Sequence, residues 1–208
     1  MIDSKTILSL REMTGAGMVD AKKALDETGG DITKAAELLR KKGIVKASKK
    51  SDRATHEGLV HAYIHAGGKI GVLVELSCET DFVARNEQFK ELAHDIAMQI
   101  AANNPIYLSV ADVPANVIAK EKEIMAAEMA SSGKQANIIE KALEGRLQKY
   151  YSDVCLLNQS FFKDEDITIE ELVKSAIAKI GENIQVKRFV RFSLADSGPS
   201  HICESLTK

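Results

Sequence analysis

Thr80-Asp81-Phe82-Val83-Ala84-Arg85 gathers a hydroxyl, a carboxylate, a phenyl ring and a guanidinium in one short stretch. It follows an apolar, strand-like run from Ile70 to Cys78 and precedes a helical pattern. Aromatic residues make up 5% of the chain and Trp is absent, so a Phe flanked by charge at a strand-to-helix corner stands out. Corners of this kind let a rigid scaffold present a side chain to a partner. They are also where helices start, with Asp as the cap and Phe stapled into the core. Residue types alone leave both readings open.

Other reactive side chains are poorly arranged for catalysis. No G-x-x-x-x-G-K-[ST] phosphate loop, G-x-S-x-G elbow or H-E-x-x-H pair occurs. His61 and His65 sit four strand residues apart, or ~13 Å, too far to share a metal ion. Asp164-Glu165-Asp166 reads as solvated charge in a loop before a helix rather than as an acid–base pair. Cys78 stands beside Glu79 with no basic neighbour to lower its pKa, which favours an inert core thiol. We expect no catalytic residue, no metal site and no cofactor, and hence no hydrolytic or transfer chemistry.

The 208 residues, 45% hydrophobic and 28% charged, fit one or two globular domains. A net charge of −2 makes no case for nucleic acid or an anionic membrane. No apolar run approaches the roughly 18 residues a membrane helix requires, and Met1-Ile2-Asp3-Ser4-Lys5 lacks a signal pattern. Cys78, Cys155 and Cys203 are widely spaced and form no C-x-x-C pair, as expected of reduced thiols. A cytoplasmic protein is the expectation.

Three short helices are expected in residues 1–43. Ser4 caps the first (Ile7, Leu8, Leu10, Met13), which Thr14-Gly15-Ala16-Gly17 breaks. The second runs from about Met18 to Glu27, and Asp31 caps the third, which Gly43 ends. Residues 44–57 read as a linker; Lys46, Lys49, Lys50 and Arg53, with no interleaved aromatics, suit a solvated hinge better than a nucleic-acid arm. In the core, 58–194, Val60, Ala62 and Ile64 alternate with His61, Tyr63 and His65. Gly67-Gly68 turns the chain, and Ile70, Val72, Val74 and Leu76 form the inward face of the next strand of a hairpin. A strongly amphipathic helix follows from about Asn86 to Ala102. Residues 115–157 read as a protruding helical hairpin around Ser131-Ser132-Gly133. A helix from about Thr168 to Ile180 and a last strand, with Ile184, Val186, Arg188, Val190, Phe192 and Leu194 on one face, complete an α+β core. The tail, 195–208, reads as flexible.

Two segments resemble the bacterial elongation factor Ts family: T-G-A-G-M-V-D-A-K-K-A-L, Thr14 to Leu25, and C-E-T-D-F-V-A-R-N, Cys78 to Asn86. Leu156 to Phe161 with Lys163-Asp164, and Ile180-Gly181-Glu182-Asn183-Ile184, add to the likeness, which covers about residues 2–194. The resemblance implies a ubiquitin-associated-like three-helix N-terminal bundle, a linker, and an α+β core with an antiparallel sheet and a helical hairpin. It implies a guanine-nucleotide exchange factor that binds elongation factor Tu in its GDP-bound and nucleotide-free forms, with no direct nucleic acid or membrane partner. Phe82 is then the wedge, with Thr80, Asp81 and Val83 acting at the end where Mg²⁺ is dislodged from Tu. Arg85 either pairs with acidic groups on Tu or faces solvent. Gly15, Ala16, Gly17, Met18 and Val19 lie against the nucleotide-binding domain of Tu, although Met18 read by itself also suits bundle core. The chain looks like the short form, with one sheet module where longer members carry two; a homodimer is left open. Two other readings remain: a non-catalytic adaptor gripping a protein through the N-terminal bundle, and an RNA-binding accessory using the linker.

Overall fold

The computed structural model describes residues 2–130, 136–195 and 202–204. The chain divides into two compact units, Met1–Gly58 with Ser77–Phe89 and Glu171–Gln185, and Leu59–Leu76 with Lys90–Glu170 and Val186–Lys208. The architecture is α+β.

The first unit begins with helices α1 (Ser4–Thr14), α2 (Met18–Glu27) and α3 (Ile32–Ser48). Ile7, Leu10, Ala21, Ala24, Leu25 and Ala35 form their shared core, flanked by Ile2, Ile32, Ala36, Leu38 and Leu39. Alanines at several of these positions let the helices approach closely. Asp3, not Ser4, occupies the N-cap of α1. Asp31 caps α3 as expected, its carboxylate accepting the Lys34 N–H at 3.1 Å.

Gly43 does not end α3. The helix continues to Ser48 and buries Ala47. A Cβ on Gly43 would stand 3.2 Å from the Ala178 Cβ of helix α8 (Ile169–Ile180). This glycine therefore serves close helix packing, and the tertiary contact overrides its weak helix propensity. The expected hinge is also pinned at Ser51–Thr55, as described below.

The second unit carries the sheet. Strands β1 (Glu57–Ile64), β2 (Ile70–Cys78), β5 (Gln185–Ser193) and β6 (Ile202–Glu204) are ordered β1-β2-β5-β6. Val72, Val74 and Leu76 are buried, as their alternation predicts. Helix α5 (Glu87–Asn103) buries the stripe Phe89, Leu92, Ala93, Ile96, Ala97 and Ile100. It ends where Asn104 turns to φ 46° before Pro105.

The inward side chains of β1 are Leu59, His61 and Tyr63, while Val60, Ala62 and Ile64 are exposed. His61 Nε2 meets His94 Nδ1 of α5 at 3.2 Å, and the Tyr63 ring packs edge-on against His94. In β5 the expected single face breaks: Val186 and Phe189 are buried but Arg188 and Phe192 are exposed, so the two-residue alternation changes phase between them.

Helices α6 (Ala115–Ala130) and α7 (Ala136–Val154) form the expected hairpin arms. An Arg146–Glu128 ion pair links them, and Val113, Tyr151 and Cys155 are buried at the base with Val117, Ile118, Leu147 and Tyr150 around them. The Ser131-Ser132-Gly133 turn lies outside the described residues.

Asp164-Glu165-Asp166 is strand, not loop: β4 (Asp164–Thr168) pairs antiparallel with β3 (Ser160–Phe161). Within the tail read as flexible, Ile202–Glu204 pair antiparallel with β5, Val190 opposite Ile202. The outer edge of β5 offers unpaired backbone groups that a following segment can satisfy. Residues 196–201 and 205–208 lie outside the described residues.

Candidate partner-binding site

Strand β2 ends at Cys78, and the chain turns through Glu79 and Thr80 into a single helical turn, α4 (Asp81–Ala84). Thr80, not Asp81, is the N-cap. Its backbone is extended and its Oγ1 accepts the Val83 N–H at 3.5 Å. Asp81 pairs instead with Arg85 on the same turn, at 3.0 Å. Arg85 is itself mostly exposed, so this pairing adds about 0–1 kcal/mol. Phe82 is not stapled into the core: it is 82% exposed. Val83 is half-buried.

What holds this corner is a set of charged hydrogen bonds from distant segments. The Glu182 carboxylate accepts the N–H groups of Glu79 (3.1 Å) and Thr80 (3.0 Å) and the Thr80 hydroxyl (2.7 Å). In return the Glu79 carboxylate accepts the Asn183 N–H at 2.6 Å and lies 3.4 Å from the Arg53 guanidinium. Asn183 is buried, and its amide donates to the carbonyls of Ser51 (3.1 Å) and Arg53 (2.7 Å). Ser77 Oγ donates to Thr55 Oγ1 at 2.9 Å, and Lys50 Nζ caps the Gly181 carbonyl. Burial and the nearby Glu182 charge push the Cys78 thiol up to about 11. It is a thiol at neutral pH, donating to the Thr80 carbonyl at 3.1 Å, and not a nucleophile.

Sequence reasoning assigned no role to Glu79, Glu182 or Asn183. A signal was present: Gly181, at φ 95°, stops a helix, and a Glu-Asn pair then precedes an apolar strand.

The second candidate segment joins α1 to α2. Gly15 closes α1 at φ 68°, its N–H donating to the Arg11 carbonyl at 2.8 Å. A Cβ there would stand 3.1 Å from the stem of Lys179 in the last turn of α8. Thr14 Oγ1 accepts the Ala16 N–H at 3.3 Å. Gly17 has φ −64°, which any residue adopts, and open space where a Cβ would stand. Met18 and Val19 are 43% and 66% exposed, so neither belongs to the bundle core. Gly15–Val19 and Thr80–Val83 thus fall in the same compact unit, at opposite ends of the stretch from Lys179 to Glu182 that touches both.

His61 and His65 do not converge on one point: His61 pairs with His94, and His65 Nδ1 lies 3.0 Å from the Tyr63 hydroxyl. Among the described residues, no three His, Cys, Asp or Glu side chains gather as metal ligands would. No helix of the described residues is long and apolar enough to cross a membrane.

Residues 13–177 match the family model described as elongation factor TS. The chain is 56% identical to the elongation factor Ts of Carboxydothermus hydrogenoformans over 94% of its own length and 90% of the relative's. It is 57% identical to that of a Synechocystis species, over 94% and 90%. With that of Syntrophomonas wolfei it shares 52% identity over 98% and 95%.

Proposed function

Because the chain belongs to the elongation factor Ts family, and so is the guanine-nucleotide exchange factor of elongation factor Tu in translation elongation, we propose that Phe82 is its working wedge. The observation that carries this is an apolar ring 82% exposed on a corner whose backbone is tied down by Glu182. Leaving a phenyl ring in water gains the free chain nothing. Burying it in a pocket of Tu contributes roughly 1.5–3 kcal/mol.

That energy has a defined use. A factor that weakens GDP binding is itself weakened by GDP to the same degree, and each tenfold of lost nucleotide affinity requires about 1.4 kcal/mol of differential binding. The Mg²⁺ bound by Tu demands near-octahedral oxygen coordination. A shift of its supporting loop, driven by the ring and by Thr80, Asp81 and Val83 beside it, releases the ion. The GDP phosphates then lose their largest counter-charge and depart, and the empty form of Tu is held until GTP enters. No bond is made or broken on this chain.

Gly15–Val19 supplies the second grip, against the nucleotide-binding domain of Tu. Gly17 is the N-cap of α2, and the open space where its Cβ would stand leaves its backbone accessible to another molecule. Met18 and Val19 offer apolar contact. Arg85 contributes by holding Asp81 in place. The bundle that carries this loop is read as ubiquitin-associated-like, and the protein as cytoplasmic, where Tu works.

A second copy of the chain is the reading we attach to the outer sheet face. The Arg188–Glu75 pair (2.6 Å) and the closeness of Gly71 to Ile64 put Ile64, Leu73, Arg188 and Phe192 on one side. Val60, Ile64, Leu73 and Phe192 are 44–66% exposed there. One patch covering its own copy satisfies two-fold symmetry.

Release of a fluorescent GDP from Tu tests the function. The intact chain accelerates release, and Phe82→Ala slows the accelerated rate at least ~10-fold, in line with loss of a buried phenyl ring. A Phe82→Ala rate equal to wild type removes the wedge.

A further inference from the structure

The wedge is only as effective as its mount. Glu182 accepts three hydrogen bonds, all from the two residues immediately before α4, and bonds to an ionised acceptor are about twice as strong as neutral ones. The tie is reciprocal, since the carboxylate of Glu79 holds the Asn183 backbone. Asn183 and Lys50 extend it to the linker through the carbonyls of Ser51, Arg53 and Gly181. One turn upstream, Lys179 lies along Gly15 and Ala178 abuts Gly43. The end of α8 and the turn after it therefore touch both segments assigned to Tu binding, within one compact unit.

We propose that Glu182 is a positioning residue for nucleotide exchange: with Lys179 it forms a bracket that sets the spacing between the Phe82 corner and the Gly15–Val19 loop, so that both engage Tu at once. The proposal rests on the wedge reading of Phe82 and adds what aims the wedge. A ring on a loose tether would lose its purchase, because ordering the corner would then draw on the binding energy meant to displace Mg²⁺. A mount fixed beforehand spares that cost. The loop grip provides binding common to all nucleotide states, whereas the aimed ring acts only as the nucleotide leaves. Loosening Glu182 therefore lowers the maximal release rate more than it weakens association.

The experiment measures accelerated release of fluorescent GDP from Tu across a range of factor concentrations, with thermal melting of each full-length variant alongside. Glu182→Ala lowers the maximal rate about tenfold while the half-saturating concentration changes less than about threefold. Glu182→Gln keeps a carbonyl oxygen for the two N–H groups but loses the charge, and falls about threefold. Adding Phe82→Ala to either variant gives no loss beyond that of Phe82→Ala alone, because Glu182 acts through the ring. A folded Glu182→Ala protein at the wild-type rate, beside a slow Phe82→Ala, overturns the bracket and leaves the wedge standing. Losses that multiply in the double variant also overturn it, since Glu182 would then act elsewhere. A wild-type rate for Phe82→Ala fails the wedge instead. If Glu182→Ala does not fold, Glu182→Gln decides, and a wild-type rate there overturns the bracket.

Discussion

At the scale of single residues, Phe82 is not explained by the protein's own stability, and Gly17, the N-cap of α2, leaves its backbone open to a partner. The ring is exposed, and the glycine sits at an ordinary φ with open space around it. Gly15, two residues earlier, is the opposite case, held at φ 68° against the Lys179 stem. Gly15→Ala strains a left-handed position and costs about 1–2 kcal/mol, lowering the melting temperature. Gly17→Ala replaces a favoured N-cap residue of α2 by a poor one and costs about 1 kcal/mol, and it also weakens association with Tu, measured by titration calorimetry. Equal association for Gly17→Ala and wild type would show that Tu makes no close approach there. The Thr-Asp-Phe corner was legible as a place of interest because aromatics are rare in this chain. Which residue caps it was not, because Thr80 and Asp81 are both competent caps and only the Glu182 bond to Thr80 selects between them.

Element boundaries followed the same logic. Where local chemistry was unambiguous, as for Asp31 before α3 or Asn103-Asn104-Pro105 after α5, periodicity and caps located the ends. In sequence Gly43 reads as a stop because glycine has two uses in helices, and the neighbour that distinguishes them, Ala178, is far away along the chain. The continuation of α3 past Gly43 brings Lys46 within 2.9 Å of Asp20 in α2. The Lys46 hydrogen bond and charge hold the Asp20 carboxyl below its usual value of 3.8. A depressed folded pKa means the pair stabilises the fold above the usual carboxylate range and ceases to do so as pH falls from 3.8 through the folded value. Both side chains are about half exposed, so the contribution is about 0–1 kcal/mol. Asp20→Asn should therefore melt slightly below wild type at neutral pH, with the two melting curves merging in acid. A gap that persisted at low pH would mean that Asp20 acts otherwise than through its charge.

For the molecule as a whole, β1 turns Val60, Ala62 and Ile64 outward because His61 and Tyr63 find His94 on the other side. The resulting apolar face is what the proposed second copy covers. Sedimentation should give twice the monomer mass at micromolar concentration, and Ile64→Asp should shift it to monomer without unfolding the chain. A wild-type monomer throughout that range rules the dimer out.

From its residues alone the chain declared its family, its α+β class, the three N-terminal helices, the inward face of β2 and the buried stripe of α5. Those features depend on side-chain period and local caps, which act over a few residues and survive in any register of the rest. The order of the strands, the outward turn of β1, the passage of α3 through Gly43 and the Glu182 bracket were decided only by tertiary structure. Each depends on a partner dozens of residues away along the chain, and one sequence read in order carries no record of which distant groups will meet.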